Sequence, residues 1–139
     1  MNHLNMTDIL LDVYDLADQI NESDEMHHYL RWKMEVERDE EAQKLIKKFQ
    51  HVKERFMEAQ RFGIFHPNYH QAKEEMESYQ SELKGHRSIG QYLAAEDELD
   101  RLLSEVMKIL AHTVSRTIKV PLHDPSLAGQ AKRSCSSGS

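Results

Sequence analysis

Several residue types are scarce in this chain, and each scarcity excludes a class of structure. The 139 residues include one cysteine, Cys135, which rules out an intrachain disulfide framework and an all-cysteine zinc site built from one chain. No apolar run approaches the roughly 18–20 residues of a membrane span. The N-terminus lacks the basic region and apolar core of a signal peptide. We therefore expect a cytoplasmic protein.

Glycine and proline are also rare, with 5 and 3 residues, and none precedes Gly63. Charged residues make up 30% and hydrophobic residues 39%, a profile typical of helical proteins with long solvated faces. The net charge of −6 argues against a general nucleic-acid binder, whose surface should be basic. The length fits one helical domain, predicted over residues 1–121, with a flexible Ser- and Gly-rich tail at 122–139.

Apolar spacing and capping residues predict about five helices, over roughly residues 7–20, 24–36, 39–61, 68–84 and 88–117. Thr7 is the expected N-cap of the first helix, and Ser23 or Asp24 that of the second. The carboxylates of Asp39, Glu40 and Glu41 favour a third helix start because they complement the helix dipole. Gly85 is expected to end the fourth helix as a C′ glycine.

The third and fourth helices share one apolar pattern, with steps of 4 and 3 residues as in a coiled-coil seam. Its members are Leu45, Phe49, Val52, Phe56 and Ala59, then Ala72, Met76, Tyr79 and Leu83. The short connection at 63–67 makes these helices antiparallel neighbours. The predicted fold class is therefore all-α, an elongated bundle of about five helices with a long antiparallel helical hairpin.

The last predicted helix is apolar over more than one stripe. One side of this face holds Leu103, Leu110 and Val114, and the other holds Leu102, Val106 and Ile109. Such a wide face can pack in two directions, and one of them can be a second subunit. Leu102, Val106 and Ile109 are therefore candidates for an oligomer interface, with coverage by the first helix as the plainer alternative.

The turn at residues 60–69, Gln-Arg-Phe-Gly-Ile-Phe-His-Pro-Asn-Tyr, is dense in aromatic side chains. A plain helical hairpin needs only Gly and a few polar residues at its bend. Aromatic residues beside Arg dominate protein interfaces, so a partner surface is predicted here. Its expected contact residues are Arg61, Phe62, Gly63, Phe65, His66, Pro67 and Tyr69. The alternative is that Phe62 and Phe65 plug the end of the bundle.

Two other groups allow different functions. His66, His70 and Glu74 are spaced by four, which on one helix face suits zinc, although no His-Glu-x-x-His pattern is present and a plain helix surface explains the spacing as well. Lys44, Lys48, His51 and Arg55 form a basic strip that could contact RNA phosphates or pair with glutamates of the facing helix.

Evidence for catalysis is poor. Glu96, Asp97, Glu98 and Asp100 form an acidic cluster, but paired carboxylates do acid–base work only in a cleft that raises a pKa. No Gly-rich phosphate loop, nucleophile elbow or Cys–His pairing is present. We expect a protein that is not an enzyme.

Four short stretches, in order along the chain, resemble the YlbF family of small helical bacterial regulators. They are Asp39-Glu40-Glu41-Ala42, Gln60-Arg61-Phe62-Gly63 with His66-Pro67 and Tyr69, Ala95-Glu96 with Glu98-Leu99, and Ile118-Lys119-Val120-Pro121. The resemblance covers roughly Asp8 to Pro121 and is strongest to the YlbF branch.

The resemblance implies a homo-oligomer that assembles with YmcA-like and YaaT-like proteins. It further implies action on endoribonuclease Y-dependent mRNA processing, and through it on competence, sporulation and biofilm development. The family is also associated with iron–sulfur clusters. The tail here holds only Cys135, so one ligand per chain could come from it, the rest from partner proteins. No cofactor is expected on the isolated chain.

Overall fold

The computed structural model describes residues 5–120, and this part of the chain is all-α. It contains five helices: α1 (Met6–Asn21), α2 (Asp24–Arg38), α3 (Glu40–Arg61), α4 (Tyr69–Gly85) and α5 (Arg87–Val114). The predicted all-α class and the number of helices are confirmed. None of these helices has the length and apolar character needed to cross a membrane.

The helix starts follow local capping chemistry. Ser23 Oγ accepts the N–H of Met26 at 3.2 Å and caps α2 as predicted. The first helix differs, because Asn5 rather than Thr7 is its N-cap and accepts the N–H of Thr7 at 3.2 Å. Asn is a stronger capping residue than Thr, so the earlier start is the favoured one.

Two helix ends also differ from the prediction. Gly85 is the last residue of α4, and Gly63 is the only described residue with a positive φ. The prediction that Gly85 is a C′ glycine is therefore wrong. Gly85 is part of the helix, and His86, which has an extended backbone, is the residue that follows it. The last helix ends at Val114 rather than near Thr117, because the Ser115 hydroxyl accepts the N–H of Thr117 at 3.3 Å and offers the backbone a turn.

The chain divides into two compact units, one of the described residues up to Ala95 and one of those from Glu96 onward. Within the first unit, α3 and α4 pack against each other as the predicted antiparallel hairpin. The α3 seam residues Leu45, Val52, Phe56 and Ala59 are buried, as is Leu83 of α4.

The main apolar cluster lies at the end of the hairpin opposite the turn. Val36 of α2, Ala42 and Leu45 of α3, Leu83 of α4 and Ile89 of α5 are its buried members. Tyr29 of α2 and Tyr92 of α5 add a tilted ring contact with centroids 5.6 Å apart. Four helices therefore meet where the α2–α3 and α4–α5 connections come together.

Asp39 holds these two connections together. Its Oδ1 accepts the N–H groups of Glu41 at 3.1 Å and Ala42 at 3.0 Å, which caps α3. Its Oδ2 accepts the hydroxyl of the buried Ser88 at 2.7 Å. The N–H of Ala42, the hydroxyl of Ser88 and the nearby His86 ring hold the pKa of Asp39 below its ordinary value.

Candidate partner-binding turn

The connection between α3 and α4 is a tight turn that needs one left-handed residue. Phe62 follows the last residue of α3, and its N–H donates to the carbonyl oxygens of Ala59 and Gln60. Gly63 comes next with φ +86°, and its N–H donates to Gln60 O at 3.1 Å. Only glycine adopts this conformation without a steric cost, so Gly63 sets the direction in which the chain leaves α3.

His66 organises the second half of the turn. Its N–H donates to Gly63 O at 3.0 Å, and its carbonyl accepts the N–H of Tyr69 at 3.0 Å. Its Nδ1 accepts the N–H of Asn68 at 3.2 Å. The imidazole also stacks on Phe62, with ring centroids 5.3 Å apart. His66 therefore has a structural role in shaping the turn.

The aromatic side chains of the turn divide into one anchor and two exposed rings. Tyr69 is half-buried and contacts the buried Phe56 of α3, with centroids 5.7 Å apart. Phe62 is 69% exposed and Phe65 is 93% exposed. The alternative that Phe62 and Phe65 plug the end of the bundle is wrong, because neither ring is buried by the described part of the chain.

Ile64 was not among the predicted contact residues, yet it is exposed between the two phenylalanines. The sequence signal that could have identified Ile64 is its position between two phenylalanines in a turn exposed to solvent. With Phe62 and Phe65 it forms an exposed apolar group, which we call the turn tip. Exposed apolar side chains grouped in one turn are a feature of interaction sites.

A groove of about 430 Å³ lies beside the turn tip, between the adjoining ends of α3 and α4. Phe62 and His66 line it together with Arg55 and Glu75. The Arg55 Nη2 and Glu75 Oε1 atoms form a salt bridge of 2.7 Å across the two helices. The groove thus combines the Phe62 ring with polar side chains, and the carboxylates of Glu58 and Glu75 face the single guanidinium of Arg55.

The predicted zinc group is not assembled. His66 precedes α4 and its ring stacks on Phe62, whereas His70 lies within α4 and meets Tyr69 edge-on at 5.3 Å. The two imidazoles are therefore engaged in separate ring contacts instead of facing a common point with Glu74. Over residues 5–120 no group of three or more His, Cys, Asp or Glu side chains could hold a metal ion.

The basic strip is only partly neutralised. Arg55 pairs with Glu75, as the coiled-coil interpretation predicts, and His51 lies 3.9 Å from Glu54 of its own helix. Lys44 and Lys48 are exposed, and neither is ion-paired with another described residue. These two lysines are the part of the strip that is available to an anionic partner.

The predicted oligomer residues of α5 differ in exposure. Leu102 and Val106 are half-buried, and Ile109 is 64% exposed. The acidic cluster upstream includes Asp97, which pairs with Arg101 at 3.3 Å one helical turn away. Cys135, the predicted iron–sulfur ligand, and the tail at 122–139 lie outside the described residues.

Over residues 5–120 the chain is an all-α protein built on an antiparallel helical hairpin with an exposed aromatic turn. Residues 9–115 match the family model "Control of competence regulator ComK, YlbF/YmcA". The chain belongs to this family, as its resemblance at four stretches predicted, and the family is one of regulatory proteins.

Individual relatives agree with the family. The chain is 32% identical over 127 residues to the regulatory protein YlbF of Bacillus subtilis (strain 168), covering 91% of this chain and 84% of that protein. It is 30% identical over 110 residues to a UPF0342 protein of Desulfitobacterium hafniense (strain Y51), covering 78% and 86%. A chain in the X-ray crystal structure of Bacillus subtilis RicA in complex with RicF superposes with a TM-score of 0.73 and 29% identity, covering 83% of this chain and 100% of that chain.

Proposed function

We propose that this protein is a non-enzymatic, cytoplasmic adaptor that binds other proteins through the turn tip. The observation that carries the proposal is the exposure of Phe62 and Phe65 in a turn whose backbone is fixed by Gly63 and His66. A preformed turn presents its rings without an ordering cost on binding, which favours affinity. The similarity to a chain crystallised in a complex of two different proteins supports the same function.

We further propose that the partners are YmcA-like and YaaT-like proteins. In such a complex the chain would modulate endoribonuclease Y-dependent mRNA processing, and thereby competence, sporulation and biofilm development. Membership of the YlbF regulatory family supports this assignment. The adaptor itself needs no catalytic group for this role, because it acts by bringing proteins together.

Affinity purification from the native cell, followed by mass spectrometry, tests the proposal. Phe65→Ala and Arg61→Ala should lower partner recovery, whereas Leu30→Ala, which truncates an exposed apolar residue of α2, should not. His66→Ala should also lower partner recovery, whereas its matched control, His70→Ala, should leave recovery unchanged. Wild-type recovery with all turn variants would remove the turn tip from the interface.

The mRNA role needs its own measurement, because partner binding and RNA processing can fail separately. Sequencing of transcript 5′ ends in a deletion strain should show loss of endoribonuclease Y cleavage products. Wild-type protein should restore these products, and Phe65→Ala should not. Unchanged processing in the deletion strain would disprove the mRNA role while leaving the adaptor role to the purification experiment.

Direct RNA contact is a second candidate function, favoured by the two lysines of the basic strip that are not ion-paired. Binding of a single-stranded RNA probe should then weaken steeply with salt, because phosphate contacts release counterions. Lys44→Glu with Lys48→Glu should abolish it, and Lys53→Glu with Lys73→Glu serves as the matched control. Binding that is absent or insensitive to salt excludes this function.

We also propose that an iron–sulfur cluster in the assembly takes most of its ligands from partner proteins. The described residues offer no suitable group, and Cys135 supplies at most one thiolate per chain. The purified assembly should show the visible absorption of a cluster, weakened by Cys135→Ser. The same spectrum in the variant would exclude Cys135 as a ligand.

A further inference from the structure

The first helix has an apolar face that the described chain leaves uncovered. No residue of α1 is buried. On a helical projection Met6, Leu10, Val13 and Tyr14 fall on one face, and each of them is at least half exposed. Tyr14, at 67%, is as open to solvent as Phe62 of the turn. An amphipathic helix of this kind gains its stability in proteins by packing, so its apolar face needs a partner.

This helix is also uniformly acidic. Residues 1–30 contain no Lys or Arg, and their carboxylates stand at positions 8, 12, 15, 18, 22, 24 and 25. Asp18 projects beside Tyr14 at one edge of the apolar face, whereas Asp12 projects beyond Leu16 on the polar side of the helix; both are exposed. The polar side of α1 is therefore uniformly negative, and it meets the apolar face at Asp18. The favoured occupant has an apolar surface to cover this face and carries a net positive charge beside it.

The C-terminal part of α5 and the segment that follows it, residues 102–119, have that character. Leu103, Met107, Leu110 and Val114 form an exposed stripe at spacings of 4, 3 and 4, and Val114 is 81% exposed. From residue 102 to residue 119 the charged side chains are Lys108, Arg116 and Lys119 against Glu105 alone. The stripe lies beside Leu102 and Val106 of the predicted oligomer interface.

We propose that α1 of one copy docks on residues 102–119 of a second copy, which comprise the C-terminal part of α5 and the segment that follows Val114. Both surfaces are apolar and exposed, and their charges are opposite. In a two-fold symmetric dimer the contact forms twice, because each chain supplies one α1 and one α5. In this proposal a second copy of the chain covers the apolar face of α1. The acidic helix α1 then serves self-association, a function separate from that of the turn tip.

The charge pattern also fixes where along α5 the contact lies. The carboxylates of Glu96, Asp97, Glu98 and Asp100 occupy the preceding part of the helix. Placing α1 there would set like charges together, which is unfavourable at an interface. The docking surface therefore begins after Asp100, at the point where the net charge of the helix changes sign.

A charge-swap experiment on full-length protein tests the contact. The first variant carries Asp12→Lys with Asp18→Lys, and the second carries Arg116→Glu with Lys119→Glu. Each should weaken self-association by at least about tenfold in sedimentation velocity, because each sets like charges against each other. Asp8 is left unchanged so that the first turn of α1 keeps its favourable acidic residue. Glu74→Lys with Glu82→Lys on α4 is the control of equal charge change.

Mixing the two variants distinguishes a contact between copies from one within a chain. A mixed dimer pairs the reversed α1 with the reversed α5 and the native α1 with the native α5, so its affinity should return to the wild-type level. An intrachain contact would be repaired only by combining all four substitutions in one chain. Far-ultraviolet circular dichroism confirms that each variant is folded. A monomeric wild type, or no recovery on mixing, overturns the proposal.

Discussion

The Ser88 hydroxyl donates to Asp39 Oδ2 at 2.7 Å, and this bond joins two helix connections that are 49 residues apart in sequence. Asp39 ends α2 and caps α3, whereas Ser88 lies in the first turn of α5. His86 Nδ1 is 3.2 Å from the Ser88 oxygen, and His86 Nε2 is 3.9 Å from Asp39 Oδ2. One carboxylate therefore sets the helix start and holds the α4–α5 connection beside it.

Asp39→Asn should make the protein less stable at neutral pH and equally stable in acid. The pKa of Asp39 is lowered in the folded state, chiefly by the Ala42 N–H and the Ser88 hydroxyl, so its ionised form stabilises the fold. That stabilisation is complete above the unfolded pKa, near 3.8, and is lost as the pH falls through the lower folded value. Urea unfolding of the wild type and of Asp39→Asn at pH 7, 5 and 3 measures how the difference in their free energies of unfolding changes with pH. A constant difference between the two proteins would contradict the assignment.

Ser88→Ala should destabilise the protein by about 1–2 kcal/mol, because a buried hydrogen bond to a carboxylate is lost. Ser81→Ala is the matched control. Ser81 is exposed, and its hydroxyl only bonds the carbonyl of Glu77 in its own helix, 3.1 Å away. The control should change the free energy of unfolding by less than about 0.5 kcal/mol. Equal effects of the two substitutions would show that the Ser88 bond adds no stability.

Two glycines near the α4–α5 connection should respond to alanine in opposite directions. A Cβ on Gly85 would meet nothing within 4 Å, so Gly85→Ala should stabilise the protein by about 0.4–1 kcal/mol by restricting the unfolded chain. A Cβ on Gly90 would lie 2.7 Å from the carbonyl oxygen of Lys84, so Gly90→Ala should cost about 1–3 kcal/mol. Thermal unfolding of both variants checks the pair, and a shift in the same direction would refute the close approach at Gly90.

Two phenylalanines, Phe56 in α3 and Phe65 in the turn, should separate stability from binding. Phe56→Ala removes a buried ring and should cost about 3–5 kcal/mol. Phe65→Ala removes an exposed ring and should change stability by less than about 0.5 kcal/mol. Urea unfolding curves give both values. A large loss with Phe65→Ala would mean that the ring belongs to the fold rather than to an interface.

The helices and the hairpin were predictable because their signals are local. Ser23 and Asp39 are recognisable caps, and the steps of 4 and 3 from Leu45 to Ala59 define a buried face without knowledge of the rest of the chain. Gly85 was misassigned because a glycine near a helix end fits either the last turn or the C′ position, and only the backbone φ decides.

The site was predictable in composition but not in geometry. The sequence places Phe62, Phe65 and Tyr69 in one turn, yet which ring packs against Phe56 depends on the direction set by Gly63. The spacing of His66 and His70 suits a metal pair only on one continuous helix, and α4 begins at Tyr69, close to the predicted start at residue 68. The bond between Asp39 and Ser88 joins distant residues, so no local pattern announces it.

The regular seam of α3 and α4 makes the hairpin a spacer whose reach can be adjusted. Its apolar steps of 4 and 3 repeat every heptad, so adding one heptad to each helix preserves every seam contact. Each added heptad would carry the turn tip about 10 Å farther from the apolar cluster around Leu45 and Leu83, at 1.5 Å of rise per residue. A chain with a longer or shorter hairpin would thus present the same turn at a different distance while keeping one core.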